Sequence, residues 1–143
     1  MKSKPIIGQV ETVSLPQFEV NNILAKIDTG AYYCRMHCDA SSKGIDGEIH
    51  FVIGDKKFTA NTYKPDMMVL TKGITGHEKR EYAIKTYMII RDTKYEVDIV
   101  LSSRNNRKYQ VLIGRKFLLA NDFMVDVCHG IENDVEYNNE VKK

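Results

Sequence analysis

The chain has 143 residues, 43% of them hydrophobic, and its 21 lysines and arginines nearly balance 19 acidic residues, for a net charge of +2. This length suits one domain with a core large enough to do without disulfides. No basic run stands out and no apolar run approaches the roughly 20 residues that span a bilayer, which argues against a nucleic-acid-binding protein and a membrane protein. We expect the domain to occupy residues 6–130, between a flexible tail at 1–5 and a charged, frayed tail at 131–143.

The N-terminus and the cysteines bear on the compartment. Basic residues open the chain, but only Ile6 and Ile7 follow as an apolar stretch, so no signal peptide is predicted. Cys34, Cys38 and Cys128 are an odd number without framework spacing, which suits a reducing environment. Both observations predict a cytoplasmic protein.

Patterns of apolar residues predict strands through the first half of the chain. The predicted segments are 6–15, ending at Pro16; 18–20 with 23–27, as a strand pair or one bent strand; and 48–53 with 58–63, a hairpin that turns at 54–57. Small, polar and aromatic residues from 32 to 42 instead predict a structured loop.

The second half continues this pattern. Residues 81–91 and 93–102 alternate strongly and predict a hairpin that turns at 91–94. An apolar strand then reaches Gly114, a short helix follows at 116–120 with Asn121 as its C-cap, and 123–127 is a last strand. Because strand signals outnumber helix signals several-fold, we predict a mainly β fold, a small closed or nearly closed barrel with one short C-terminal helix.

The stretch that carries chemistry is Asp28-Thr29-Gly30-Ala31, which follows the apolar strand 23–27. Gly30 allows a turn tight enough to aim a backbone N–H at the Asp28 carboxylate, and such donors set the pKa of an acid–base group. Alternatively, Asp28 only caps the turn, as aspartate often does.

This motif and the later run Val111-Leu112-Ile113-Gly114-Arg115 together resemble the retropepsin-like aspartic peptidases, in which the second run crosses behind the D-T-G loop. The resemblance is closest to a bacterial and archaeal branch labelled "ATP-dependent zinc protease", and it extends from about residue 7 to residue 127. The other matching stretches are Ile7-Gly8, Val13-Ser14-Leu15-Pro16, His37, Gly76-His77-Glu78 with Arg80, Arg104 leading to Tyr109, and Phe123-Met124-Val125-Asp126.

The resemblance implies a peptidase in which two aspartates share a proton and activate one water. The chain has one D-T-G and no internal repeat. A second Asp28 must therefore come from another copy, which predicts a symmetric homodimer with the site on its axis. Thr29 is then expected to interlock across the axis, and Gly30 to donate to the carboxylate. Asp126 is the rival for an intramolecular partner, or a structural residue that pairs with Arg104 or Arg115.

The substrate is expected to be an extended peptide or protein segment that binds by strand addition. Residues 72–76 are the predicted flap, with Gly73, Ile74, Thr75 and Gly76 at its tip, or else an ordinary hairpin loop. The resemblance adds Ala31 and the basic residues His77, Arg80, Arg104 and Arg115 to the expected substrate contacts. Some members of the branch are linked to trimming glutamate tails, so an acidic peptide is one substrate that the resemblance implies. Alternatively, Arg104 and Arg115 hold loops by bonding backbone carbonyls.

No cofactor is predicted, because the chain has neither G-x-x-x-x-G-K-[ST] for a nucleotide nor H-E-x-x-H for zinc. A zinc hydrolase that uses Cys34, His37 and Cys38, with His129 as a distant fourth ligand, is a third alternative. The main alternative is a catalytically silent peptide-binding or assembly module on the same barrel. The chain departs from the branch at Tyr32, Tyr33 and Cys34, where a basic residue and small residues are usual, and at Arg107, where methionine is frequent.

Overall fold

The computed structural model describes residues 4–61, 68–72 and 78–141, which contain twelve strands and two α-helices. The strands are β1 (Ile6–Ile7), β2 (Val10–Leu15), β3 (Val20–Asp28), β4 (Cys34–His37), β5 (Ala40–Lys43), β6 (Ile49–Ile53), β7 (Lys56–Ala60), β8 (Met68–Lys72), β9 (Glu78–Ile90), β10 (Thr93–Ser102), β11 (Val111–Gly114) and β12 (Met124–Val125). The helices are α1 (Arg115–Ala120) and α2 (Val135–Val141), and single 3-10 turns lie at Pro16–Phe18 and Ile131–Asn133.

Six of these strands close into a barrel. Their order is β10-β4-β11-β3-β2-β9, and β9 pairs again with β10 to complete the circle. Strand β8 extends β9 outside the circle, β5-β6-β7 form a separate three-stranded sheet, and β1 pairs with β12. The prediction of a mainly β fold with a small closed barrel is confirmed.

The hairpin of β9 and β10 is the longest continuous pairing, as its alternating sequence predicts. Residues 82–90 face residues 93–101 without a break, and the turn consists of Arg91 and Asp92. Both turn residues have left-handed backbones, with φ of 48° and 65°. A two-residue turn of this kind matches the twist of the strands that it joins.

The segment from Tyr32 to Ser42, predicted as a loop, instead contains β4 and most of β5. Strand β4 is a barrel wall, parallel to β10 and antiparallel to β11. Its sequence Cys-Arg-Met-His lacks the β-branched and aromatic residues that favour strands. Its pairing partners lie more than sixty residues away, so local propensity did not reveal it.

Strand β11 passes between β3 and β4 and pairs with both. It runs parallel to β3, with Gly114 opposite Asp28, and antiparallel to β4. The chain therefore leaves β3 at Asp28, crosses the end of β11 and returns as β4. This ψ-shaped crossing is the arrangement that the resemblance predicted.

Apolar side chains from opposite walls fill the barrel. Ile27, Ile84, Ile99 and Ile113 are each at most 8% exposed, and burying such a side chain contributes about 1.5–3 kcal/mol. Helix α1 packs onto this core through Phe117, whose ring lies 5.6 Å from that of Tyr95 and 5.8 Å from that of Phe123. This packing fixes the start of α1 beside the Asp28 loop.

Helix α1 corresponds to the predicted short helix, and Asn121 caps its end through a backbone N–H bonded to the Phe117 carbonyl. A second helix, α2, lies in the segment expected to be frayed, and the fraying itself stays a prediction. None of the helices in the described ranges is long and apolar enough to cross a bilayer.

Candidate active site

Asp28 is the last residue of β3, and its carboxylate is held by the turn that follows. The Gly30 N–H donates to Asp28 Oδ1 at 2.9 Å, as the sequence predicted, and the Ala31 N–H donates to the Asp28 carbonyl at 3.1 Å. A Cβ on Gly30 would lie 3.2 Å from Oδ1. A residue without a side chain therefore lets the amide approach the carboxylate closely.

The loop after Asp28 rests on the end of β11. A Cβ on Gly114 would lie 2.5 Å from the Tyr33 carbonyl oxygen and 2.7 Å from that of Tyr32, so only glycine fits. The first amides of α1 bind the same loop, because the Arg115 N–H donates to the Ala31 carbonyl and the Lys116 N–H to the Tyr32 carbonyl. Gly114 and the first residues of α1 thus form a platform that supports the D-T-G-A turn.

Arg115 belongs to this platform. Its Nη1 donates to the Gly30 carbonyl at 3.1 Å, and its guanidinium lies 5.2 Å from the centre of the Tyr32 ring. Arg115 does not line the groove that contains Asp28. Its geometry therefore agrees with the alternative of a loop-holding arginine.

A groove of about 740 Å³ opens beside Asp28. Of the predicted site residues, Asp28, Ala31 and Arg104 line it. Its charged lining comprises the cations Lys26, Arg35, Arg104, Arg107 and Lys108 and the acids Asp28, Glu81, Asp134 and Glu136. Thr29, in contrast, is exposed on the loop outside the groove lining.

Arg104 is a buried cation in this groove, with 9% of its surface exposed. Its Nε donates to the Tyr109 carbonyl at 2.9 Å. Burial, followed by repulsion from Arg107 and Arg35, lowers the pKa of Arg104, and the Asp28 carboxylate opposes that shift. Arg104 therefore combines the loop-holding contact of the alternative with a place in the electrostatic field of Asp28.

Arg35 and Glu81 are groove residues that sequence reasoning missed. Arg35 Nη1 lies 2.6 Å from Glu81 Oε1, and Glu81 is 6% exposed. No local signal marks either residue, because Arg35 lies in the segment predicted as a loop and Glu81 lies within an alternating strand. Lys108 also pairs in the groove, with Glu136 of α2 at 3.4 Å.

Several predicted contacts lie outside the described residues, namely Gly73, Ile74, Thr75, Gly76 and His77 of the flap segment and the side chain of Arg80. Asp126 accepts the Cys128 N–H at 2.9 Å in a local turn. No salt bridge within the described ranges joins it to Arg104 or Arg115. Asp126 does not line the groove either, so it is not placed as a partner of Asp28.

The residues of the zinc alternative do not assemble into a ligand group. Both ring nitrogens of His37 are engaged in hydrogen bonds, and burial raises the pKa of the Cys34 thiol to about 12, which disfavours the thiolate that zinc needs. In the parts of the chain that the structure describes, the one group with clustered ligand atoms is Asp46, Glu48 and His50. It lies at the turn between β5 and β6 and largely outside the core, and the Glu48 N–H already donates to Asp46 Oδ1.

Comparison with known proteins decides the family. A family model described as "Retropepsin-like aspartic endopeptidase RimB" matches residues 6–132. The chain belongs to this RimB-like family. The ψ-shaped crossing and the D-T-G turn described above are the features of the chain that fit the retropepsin-like description.

Curated relatives carry another name. The chain is 26% identical over 149 residues to a protein of Shewanella halifaxensis and 22% identical over 126 residues to one of Desulfotalea psychrophila, both named "Probable alpha-L-glutamate ligase". These alignments cover 94% and 82% of the chain but only 32% and 27% of the relatives, so the chain spans less than a third of their length.

A solved structure shares the fold. The protein Lpg0085 of Legionella pneumophila, of unknown function, superposes with a TM-score of 0.68 at 21% identity, covering 87% of this chain and 94% of that one.

Proposed function

We propose that this RimB-like protein is an aspartic peptidase in which Asp28 of two copies forms the catalytic pair. One carboxylate, ionised, takes a proton from a bound water while the protonated partner donates to the carbonyl oxygen of the peptide bond. Two carboxylates about 3 Å apart cannot both ionise cheaply, so the pair shares one proton.

The observation that carries the proposal is the position of Asp28. Its carboxylate accepts the Gly30 N–H in a turn that two further amides brace, and it lines the groove of about 740 Å³. Thr29 and Gly30 are exposed on the same turn, which leaves the turn accessible to a second copy.

We propose an acidic, glutamate-rich peptide as the substrate. Five cations and four acids line the groove, and Arg35 and Lys108 each pair with one of these acids, so the lining already holds carboxylate side chains against its cations. Glu136 of the chain itself lies with a carboxylate oxygen 3.4 Å from Lys108 Nζ and so occupies one such position. The curated relatives are named as glutamate ligases, which agrees with a substrate built from glutamate.

Residues 72–76 remain the proposed flap. In the antiparallel register of β8 and β9, the backbone of residue 72 lies opposite that of residue 78, so the proposed flap segment starts where the two strands are paired. We also keep the proposal of a cytoplasmic location, which rests on the three cysteines. The zinc alternative is not proposed further, because its ligands do not converge.

The test is Asp28→Asn in the full chain, assayed with a quenched fluorescent peptide that carries six consecutive glutamates. Cleavage should fall at least ~100-fold, because an amide cannot act as the base on water. Asp126→Asn is the matched control, since Asp126 is an aspartate in a turn outside the groove. A glutamine version of the peptide should be cleaved more slowly than the glutamate version.

Two outcomes contradict the proposal. Undiminished cleavage by Asp28→Asn would remove Asp28 from the mechanism. Binding of the glutamate peptide by the native chain without any cleavage would favour the peptide-binding module, for which the 46% exposed Tyr32 beside the site supplies a contact surface.

A further inference from the structure

A chain of hydrogen bonds leads from the three-stranded sheet to the Asp28 groove. The Gly54 N–H, at the turn between β6 and β7, donates to Asp39 Oδ2 at 2.7 Å. Asp39 Oδ1 lies 3.1 Å from His37 Nε2, and the Arg104 backbone N–H donates to His37 Nδ1 at 2.9 Å. His37 thus joins two structural units through its two ring nitrogens.

The partners of His37 determine its tautomer. A backbone N–H can only donate, so Nδ1 must be the unprotonated acceptor and the ring proton must lie on Nε2. Nε2–H then donates to the Asp39 carboxylate. The Gly54 N–H, and next the contact with His37, lower the pKa of Asp39, so this acceptor is ionised at neutral pH. His37 is 6% exposed, and its ring orientation is therefore set at both nitrogens.

His37 also anchors the backbone of Arg104. The backbone N–H of Arg104 is bound to His37, and its Nε is bound to the Tyr109 carbonyl. Within the described ranges, neither Nη1 nor Nη2 of Arg104 donates a hydrogen bond. Every fully buried side-chain nitrogen in those ranges has a hydrogen-bond partner, so Nη1 and Nη2 are not fully buried. The two terminal nitrogens are therefore solvent-accessible, and because Arg104 lines the groove they are available to a ligand. A planar pair of donors is suited to one carboxylate.

We infer that His37 is a positioning residue that holds Arg104 in place to bind a carboxylate of an acidic peptide beside Asp28. This inference rests on the proposed function and adds a residue that does not line the groove. Without an acceptor at Nδ1 the buried Arg104 N–H would have to move toward another partner or stay unsatisfied. Movement of the N–H displaces the guanidinium, and an unsatisfied N–H removes one of the two contacts that hold Arg104, at its backbone N–H and at its Nε.

The test compares two amide substitutions in the Asp28→Asn protein, in which loss of cleavage is expected, so that peptide binding is measured without turnover. In His37→Asn the amide oxygen can replace Nδ1 and accept the Arg104 N–H. In His37→Gln the longer side chain places its amide near the position of Nε2 and leaves that N–H without an acceptor. The probe is fluorescein-labelled hexaglutamate, with binding followed by anisotropy and stability by urea unfolding.

We expect His37→Gln to weaken binding about tenfold, as the loss of a buried acceptor at a positioned cation would. His37→Asn should stay within about threefold of the parent, although it loses the contact with Asp39 and leaves the larger cavity. A merely structural role predicts instead that affinity follows stability. Equal affinities of the two variants, or weaker binding by His37→Asn, would overturn the inference.

Arg104→Gln separates this inference from the proposed function. If the parent binds hexaglutamate and Arg104→Gln weakens binding, the acidic-peptide site stands whatever His37 does. If Arg104→Gln binds as tightly as the parent, Arg104 is not the carboxylate contact, and the inference fails while the Asp28 chemistry is untouched. Failure of the parent to bind the probe contradicts both the acidic substrate and the role of His37.

Discussion

Single residues without side chains shape the candidate site. Gly30 admits its amide to the Asp28 carboxylate, and Gly114 admits the carbonyls of Tyr32 and Tyr33 to the end of β11. At neither position does the backbone need a left-handed conformation, since neither has positive φ. Close approach is the reason for glycine at both.

Gly114→Ala should therefore destabilise the protein by about 2–4 kcal/mol, because the new methyl group overlaps the carbonyl oxygens of Tyr32 and Tyr33, and the Lys116 N–H holds the first of these in place. Urea unfolding followed by circular dichroism measures this change. Gly47→Ala is the control: its φ is +84°, but nothing lies within 4 Å of the added methyl group, so it pays backbone strain alone, about 1 kcal/mol. A smaller effect at Gly114 than at Gly47 would contradict the close packing of the D-T-G-A loop on β11.

Among the elements, the β9–β10 hairpin is determined partly by its local sequence and partly by tertiary contacts. Alternation specifies both strands, while the two-residue turn requires positive φ at Arg91 and Asp92. Arg91 also has a second role, because its Nη2 lies 2.6 Å from the buried Glu11 carboxylate on β2. Asp92 is exposed and takes part in no salt bridge within the described ranges.

Asp92→Gly should raise stability by roughly 0.5 kcal/mol or slightly more, because glycine adopts φ of 65° without the strain that an L side chain feels there. The urea midpoint reports the gain. Arg91→Gly, with a similar φ, should instead lower stability, since it removes the partner of Glu11. Destabilisation by Asp92→Gly would show that the loss of chain entropy outweighs the relief of strain.

At the scale of the whole molecule, the proposed mechanism needs two chains. The single copy supplies one Asp28, and the exposed turn residues beside it are where a symmetric partner must approach. Two carboxylates must then be present in the same particle for turnover.

Mixing equal amounts of native chain and Asp28→Asn tests this requirement. If both aspartates are needed and subunits exchange at random, activity should fall to about one quarter of that of the native chain at the same total concentration. A chain that works alone would retain about one half. Sedimentation of the mixture with the hexaglutamate peptide present shows whether dimers form under the assay conditions.

The sequence by itself determined the features that have a pattern within a short stretch of residues. Strand alternation specified the β9–β10 and β6–β7 hairpins, the apolar run into Gly114 specified β11 and the start of α1, and D-T-G specified the hydrogen bond at Asp28. Each of these features has a signal in a short stretch of sequence, namely alternation, an apolar run that ends at a glycine, or a tight turn, so the order of residues predicts it directly.

Tertiary structure alone decided which charges surround Asp28. Strand β4 belongs to the barrel because it pairs with strands that are distant in sequence. This pairing places Arg35 beside Glu81, 46 residues away, and His37 beside the Arg104 amide, 67 residues away. Arg104 and Arg115 look alike in sequence, yet one lines the groove and the other holds the Gly30 carbonyl. The physical reason is that closing the barrel sets the direction of each side chain, and closure depends on pairings that no local pattern contains.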